Sequence, residues 1–178
     1  MGNSWKHFKT VCKHKWEVGK MCFRCGLYKQ GITHDLSKFS KAEFKTSVKY
    51  YQGTSSPIDA EKKDKGYSFT WLHHRGRNPH HWEYWIDNLG TRENKAGEMQ
   101  YRYVFEMICD WIGAGKVYLG DKWTIKSPLE YYNANKDKMI LHPNTQKLVE
   151  KYLQDIADYG LRTLVTRARY HKKIKELD

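Results

Sequence analysis

Apolar residues recur at helical spacing along nearly the whole chain, and Gly, Pro, Asn and Ser punctuate the intervals. The pattern predicts a first helix from Asn3 or Ser4, either of which can cap it, to about Gly26. The stretch HDLSKFSKAEFKTSVKYY places Leu36, Phe39, Phe44 and Val48 on one helical face, with a break near Ser40. GTSSPIDAEKKDKG is polar and punctuated, so it reads as a loop. YSFTWLHH is a short helix ending at Gly76, and Asn78-Pro79 opens another with proline at its first position. Glu98 to Ile112 is the strongest helix; Ser127-Pro128 and Pro143 each start a further one, and a basic helical tail runs from about Asp158. Alternating strand patterns are few, and no internal repeat is visible. The expectation is an all-α single domain over residues 1–178.

The helix from Glu98 changes this from a fold pattern into a functional one. Between Tyr103 and Ala114 it is apolar on nearly every face, and its charges are Glu106 and Asp110. A helix of that kind is buried, and buried carboxylates are rare unless paired, hydrogen-bonded or bound to a metal. The two lie one turn apart and project to the same side. Structural ion pairs to Lys or Arg are the plain alternative.

Histidine supplies the candidate partners. Four of the chain's nine stand within HHRGRNPHH, as His73, His74, His80 and His81. The Gly76 and Asn78-Pro79 turn lets side chains of two helices converge. On a helix His80 and His81 would diverge by about 100°, so they are expected to take different roles, one as ligand and the other against substrate or in support. His34-Asp35 sets a nitrogen ligand beside a carboxylate where a helix begins, with Lys38 one turn on, and His14 lies in the first helix with Val18 following on the core side.

Composition narrows the partners without choosing one. Lys plus Arg number 32 against 20 Asp plus Glu, a formal charge of +12, which favours an anionic small molecule, a nucleotide or a nucleic acid. No apolar run approaches the roughly 20 residues that cross a bilayer, so no membrane partner and a cytoplasmic location are expected. Cys12, Cys22, Cys25 and Cys109 read as reduced thiols, and the lone CxxC of Cys22 and Cys25 is a weak zinc signal. The cationic tail, with Leu161, Leu164 and Val165 on one side, reads either as a packed, solvated helix or as an electrostatic recruiter of nucleic acid.

In chain order the candidates run His14, His34-Asp35, the histidine turn, Asp110. This order, H…HD…HH…D, resembles the HD-domain superfamily of metal-dependent phosphohydrolases, and HDLSK is similar to that family's HDxxK. HHWE resembles the HHE element of the HD-GYP branch, although the Gly-Tyr-Pro that follows there is missing. The chain also resembles bacterial and phage proteins sharing HDLSKF, HHWEYW-like and EMICDW-like motifs, a likeness that names no reaction. The HD resemblance implies a helical bundle and one or two divalent transition metals, Mn, Fe, Co, Ni or Zn. It implies His14, His34, Asp35 and Asp110 as ligands, and His74, His80 and His81 as ligands of a second ion. With two ions, Asp35 would be shared between them, Lys38 would neutralise phosphoryl oxygens, and Glu83 or Glu106 could relay a proton; Arg75 and Arg77 read from their own chemistry either as phosphate contacts or as exposed loop charges. The expected reaction is hydrolysis of a phosphate ester or phosphodiester of a small nucleotide. The rivals are a nucleic-acid-binding helical module without chemistry, a two-iron HD-type oxygenase, and an HNH nuclease, whose β-hairpin the pattern lacks.

Overall fold

The computed structural model describes residues 2–88 and 94–177 and is all-α. Two long helices form its axis: α1 (Asn3–Arg24), which leads into the short α2 (Tyr28–Thr33), and a later, more apolar one. Lys41–Lys49, Pro57–Lys65 and Phe69–Arg75 follow as α3, α4 and α5. A two-residue antiparallel ladder pairs β1 (Ile86–Asp87) with β2 (Lys95–Ala96), in the register Ile86 to Ala96. The apolar axial helix is α6 (Tyr101–Leu119), and α7 (Ser127–Asn135), α8 (Pro143–Tyr159) and α9 (Leu161–Leu177) complete the chain. None of the described helices is long and apolar enough to cross a membrane.

The contact of α1 with α6 positions everything else. Val11, His14, Val18, Met21 and Cys22 fall on one stripe of α1 and are buried. Val18, Met21 and Cys22 share the core with Val104, Phe105, Ile108, Cys109 and Ile112 of α6, all buried. Gly113 lets the helices approach: a Cβ there would stand 2.5 Å from Cγ2 of Val18 and 3.1 Å from its backbone nitrogen. On the far side of α6, Tyr132, Val149, Leu153, Ile156 and Leu164 extend the same core into α7, α8 and α9. Arg169 of α9 donates to the Arg24 carbonyl at 2.9 Å and Lys172 to that of Gly26 at 3.4 Å. Two cations of the basic tail thus satisfy carbonyls at the end of α1, as a packed helix would.

The other half is built differently. Between Leu27 and Trp82 the hydrophobic core takes no residue. Apart from Pro57, the buried side chains there are polar: Glu43, Glu61, Ser68, Thr70, His74, Asn78 and His80 beside His34 and Asp35. Glu61 accepts from Ser68 Oγ at 2.6 Å and from the Thr70 backbone at 3.3 Å, while Ser68 Oγ caps α5 through Trp71 N–H at 2.9 Å. A network of hydrogen bonds, rather than apolar burial, holds this layer.

Several sequence expectations are corrected. Gly2 rather than Asn3 or Ser4 caps α1, and it does so without a side-chain bond. The stretch expected as a loop carries α4, started by Ser56 and Pro57 and closed by Gly66 at positive φ, so its Gly and Pro mark helix ends. Leu36 and Phe39 are exposed on a short 3₁₀ turn, Leu36–Phe39, and the buried residue of α3 is Glu43. The Ser40 break is present, as the cap of α3. Asn78-Pro79 opens no α-helix; His80 and His81 lie in a turn before the 3₁₀ segment Trp82–Trp85. The strongest helix begins at Tyr101, and the ladder of Ile86 with Ala96 is too short for an alternating pattern to reveal.

Candidate metal centre

The His34-Asp35 doublet owes its place to an abrupt change of direction after α2. His34 ends that helix, and Asp35 takes a left-handed conformation at φ 56°, ψ 22°, which Asn and Asp tolerate better than other non-glycine residues. No other described non-glycine residue has positive φ. Lys15 of α1 braces the corner, donating to the carbonyls of Ile32 at 2.6 Å and His34 at 2.8 Å. Asp35 is thereby turned inward, 1% exposed, between α1, α6 and the histidine turn.

Its two oxygens face two sets of donors. On the Oδ2 side stand His14 Nε2 at 3.2 Å and His34 Nε2 at 3.4 Å. Asp110 Oδ1 closes that set, 3.1 Å from His14 and 3.6 Å from His34. On the Oδ1 side stand His74 Nε2 at 3.2 Å and His80 Nε2 at 3.4 Å, with His81 completing the group. Ligands at about 2.1 Å from one ion lie roughly 3.0–3.4 Å from each other at octahedral and tetrahedral angles, so these spacings suit coordination. Both groups of four lie close enough to hold a metal ion.

The hydrogen bonding explains why a cation is wanted. Asp35 Oδ1 and the Nε2 atoms of His74, His80 and His81 are buried and make no hydrogen bond. The opposite nitrogens of His74 and His80 are engaged. His74 Nδ1 meets Glu43 Oε2 at 2.8 Å, and His80 Nδ1 meets Glu106 Oε1 at 3.2 Å. An imidazole that donates through Nδ1–H to a carboxylate presents a lone pair at Nε2 when neutral. Burial, reinforced by neighbouring imidazoles, holds His80 and His81 below the usual histidine range, whereas Asp35 outweighs the same burial and raises His34 and His74. Lone pairs and a carboxylate oxygen converging in a dry space repel one another unless a proton or a metal cation lies between them.

The remaining contacts orient this shell. Glu106 Oε1 also accepts from His34 Nδ1 at 2.9 Å, so one carboxylate sets a histidine of each group. The triad His34, His80 and Glu106 is close enough to chelate, yet this hydrogen bonding already accounts for it. Glu43 holds His73 at 2.7 Å as well as His74. Asn78 Nδ2 donates to the His74 carbonyl at 2.7 Å and to Ser37 Oγ at 2.9 Å, which ties the histidine turn to the doublet. Lys38 Nζ lies 2.6 Å from Asp35 Oδ2. Burial opposes its charge, but Asp35 and Asp110 outweigh that and raise its pKa. Burial also works against Asp35, and His34 and Lys38 nonetheless hold its carboxyl well below the ordinary range.

The structure brings together His14, His34, Asp35, Lys38, His74, His80, His81 and Asp110. Glu83 is apart: burial raises its carboxyl, and no hydrogen bond among the described residues joins its side chain to the cluster. Arg75 donates to the Glu83 carbonyl at 3.5 Å, and Arg77 to that of His73 at 3.3 Å, on the outer side of the turn. The idea that His80 and His81 diverge is replaced, since off a helix their rings sit 4.2 Å apart. The alternative that Glu106 and Asp110 pair with Lys or Arg is replaced by pairing with histidines. Cys22, Cys25 and Cys109 are buried core thiols, and no metal-holding group among the described residues includes a cysteine. Sequence reasoning missed Glu43, Asn78 and Lys15. Ser40 followed by Glu43 has the spacing of a capping box, which hides the glutamate's real task.

A family model, described as a family of unknown function (DUF5662), matches residues 3–155. The chain belongs to this family. The DUF5662 match contains every residue of the cluster and both axial helices, and it ends before α9. No curated protein and no solved structure matches the chain significantly.

Proposed function

We propose that this DUF5662 protein is a metal-dependent phosphohydrolase that cleaves a phosphate ester or phosphodiester of a small nucleotide at a two-ion centre. The observation that carries the reading is Asp35, which turns one oxygen to each of two ligand groups while Lys38 sits on it. His14, His34, Asp35 and Asp110 would hold one ion, and Asp35, His74, His80 and His81 the second. Mixed imidazole and carboxylate ligands suit Mn, Fe, Co, Ni or Zn better than Ca. Bound there, such ions supply Lewis acidity and a hydroxide nucleophile near neutral pH. The resemblance of the order H…HD…HH…D to HD-domain phosphohydrolases supports the same reading.

The chain's own residues do the rest. Lys38 remains a cation and borders a small cavity of about 40 Å³ lined also by His7, His14, Tyr51 and Tyr118. A phosphoryl oxygen beside Lys38 has its charge neutralised as it grows in the transition state. Tyr51 and Tyr118 wall the same cavity, whose volume leaves the nucleoside of such a substrate outside it. Glu43 and Glu106 fix the imidazoles, so no ligand must reorganise during turnover. The charge of +12 favours an anionic substrate over a neutral one.

The test is a panel of mono-, di- and cyclic nucleotides incubated with Mn, Co, Ni or Mg and read by phosphate release and chromatography. At least one should be hydrolysed, and Asp35→Ala should abolish turnover. Lys38→Ala should retain its metal and lose about a hundredfold in rate. No hydrolysis with any metal would overturn the reaction class, and dioxygen uptake by the iron-loaded protein would then favour the oxygenase reading.

A further inference from the structure

A second, larger cavity of about 160 Å³ lies against the centre, with space for several water molecules. Its walls come from three elements. α2 contributes Lys29 and Gln30, the histidine turn Arg77, and the start of α6 Arg102 and Glu106. Three of these are cations. None of Lys29, Arg77 or Arg102 forms an ion pair among the described residues. The acidic wall residue, Glu106, is already engaged by His34 and His80. Three exposed cations with no acidic ion-pair partner give the cavity a positive potential that attracts an anion.

The position separates this cavity from the metal centre. Glu106 meets His34 and His80 through their Nδ1 atoms, whereas the centre is formed by their Nε2 atoms. The two nitrogens lie on opposite sides of an imidazole ring. Anything held by Lys29, Arg77 and Arg102 therefore stands behind the ligand shell, away from Lys38 and the smaller cavity. Arg77, expected from sequence as a substrate contact, belongs to this rear cavity.

We propose that the rear cavity is a binding site for a phosphate oxyanion, distinct from the metal centre. Two guanidinium groups and an ammonium match tetrahedral oxygens, and guanidinium does so with directed hydrogen bonds. Gln30 adds an amide at the rim. The inference does not rest on the hydrolase reading, because it uses none of the ligand atoms and no reaction. Free phosphate and the phosphate group of an organic ester share the chemistry.

The full chain, treated with EDTA, is titrated with inorganic phosphate by calorimetry, and the same titration is run on Asp35→Ala. Saturable one-site binding is expected in both. Arg102→Ala and Lys29→Ala, both at exposed positions, should each weaken it on the order of tenfold or more. Lys122→Ala, an exposed cation outside the cavity, should leave it unchanged. Displacement of bound phosphate by AMP assigns the site to phosphate esters, and persistence in the presence of AMP assigns it to the free anion; both support it. The proposal is overturned if no saturable binding occurs. It is equally overturned if binding survives both alanine variants, or persists in Arg102→Ala and vanishes in Asp35→Ala.

Discussion

At the scale of residues, the centre depends on carboxylates that touch no metal position. Glu43 and Glu106 decide which nitrogen of His74, His34 and His80 faces inward. Replacing Glu43 by Gln keeps the volume but removes the charge that fixes the His74 tautomer. Loss of such a partner typically costs 10- to 100-fold in metal affinity. Glu43→Gln should accordingly weaken Mn binding to the His74 group by about that factor while far-UV circular dichroism stays unchanged; unaltered affinity would show that Glu43 does not orient the site. That these histidines and aspartates gather in one cluster was legible in sequence, since their spacing and the apolar setting of Asp110 mark them. The orienting residues were not. Glu43, Asn78 and Lys15 are ordinary surface types, and the burial of the first two and the bracing contacts of the third come only from tertiary packing.

At the scale of elements, the spacing of the cluster is a consequence of how closely α1 and α6 pack. Gly113 is one turn beyond Asp110, and its neighbour Val18 is one turn beyond His14. The approach at Gly113 thus sets the 3.1 Å separation of His14 from Asp110. A Cβ at Gly113 meets Val18 backbone as well as side chain, so the helices must separate. Gly113→Ala should cost about 1–3 kcal/mol of stability, as overpacking does, and should impair metal binding in the His14 group more than in the His74 group. Thermal melts with and without Mn check this; a variant as stable as wild type with unchanged affinity would contradict it. Helix periodicity revealed these two elements because both bury apolar stripes. The same logic misjudged α3 and α4, whose buried residues are Glu43, Pro57 and Glu61, so no apolar stripe announces them.

At the scale of the whole molecule, the chain has an apolar half and a polar half. The core of α1 and α6–α9 is dense with Val, Ile, Leu and aromatic residues. The layer of α3, α4, α5 and the histidine turn carries hydrogen-bonded and charged groups instead. Polar networks stabilise modestly, and an ion that binds the folded layer adds its binding free energy to folding. Chelation should therefore raise amide hydrogen exchange across residues 34–81, by tenfold or more, and leave α8 nearly unchanged. Uniform protection with and without EDTA would mean that the layer is stable without an ion. The all-α fold could be read from periodicity alone, whereas this division could not, because burial of polar side chains leaves no mark on a hydropathy pattern.

The central claim is that Asp35 is shared between two ions, and counting ions tests it most directly. Protein loaded with Mn and passed through a desalting column would be assayed by elemental analysis beside Asp35→Ala and His74→Ala. The account predicts two equivalents in wild type, close to none in Asp35→Ala, and one in His74→Ala, with all three folded by circular dichroism. Equal metal content in wild type and Asp35→Ala, or none in wild type, would contradict it.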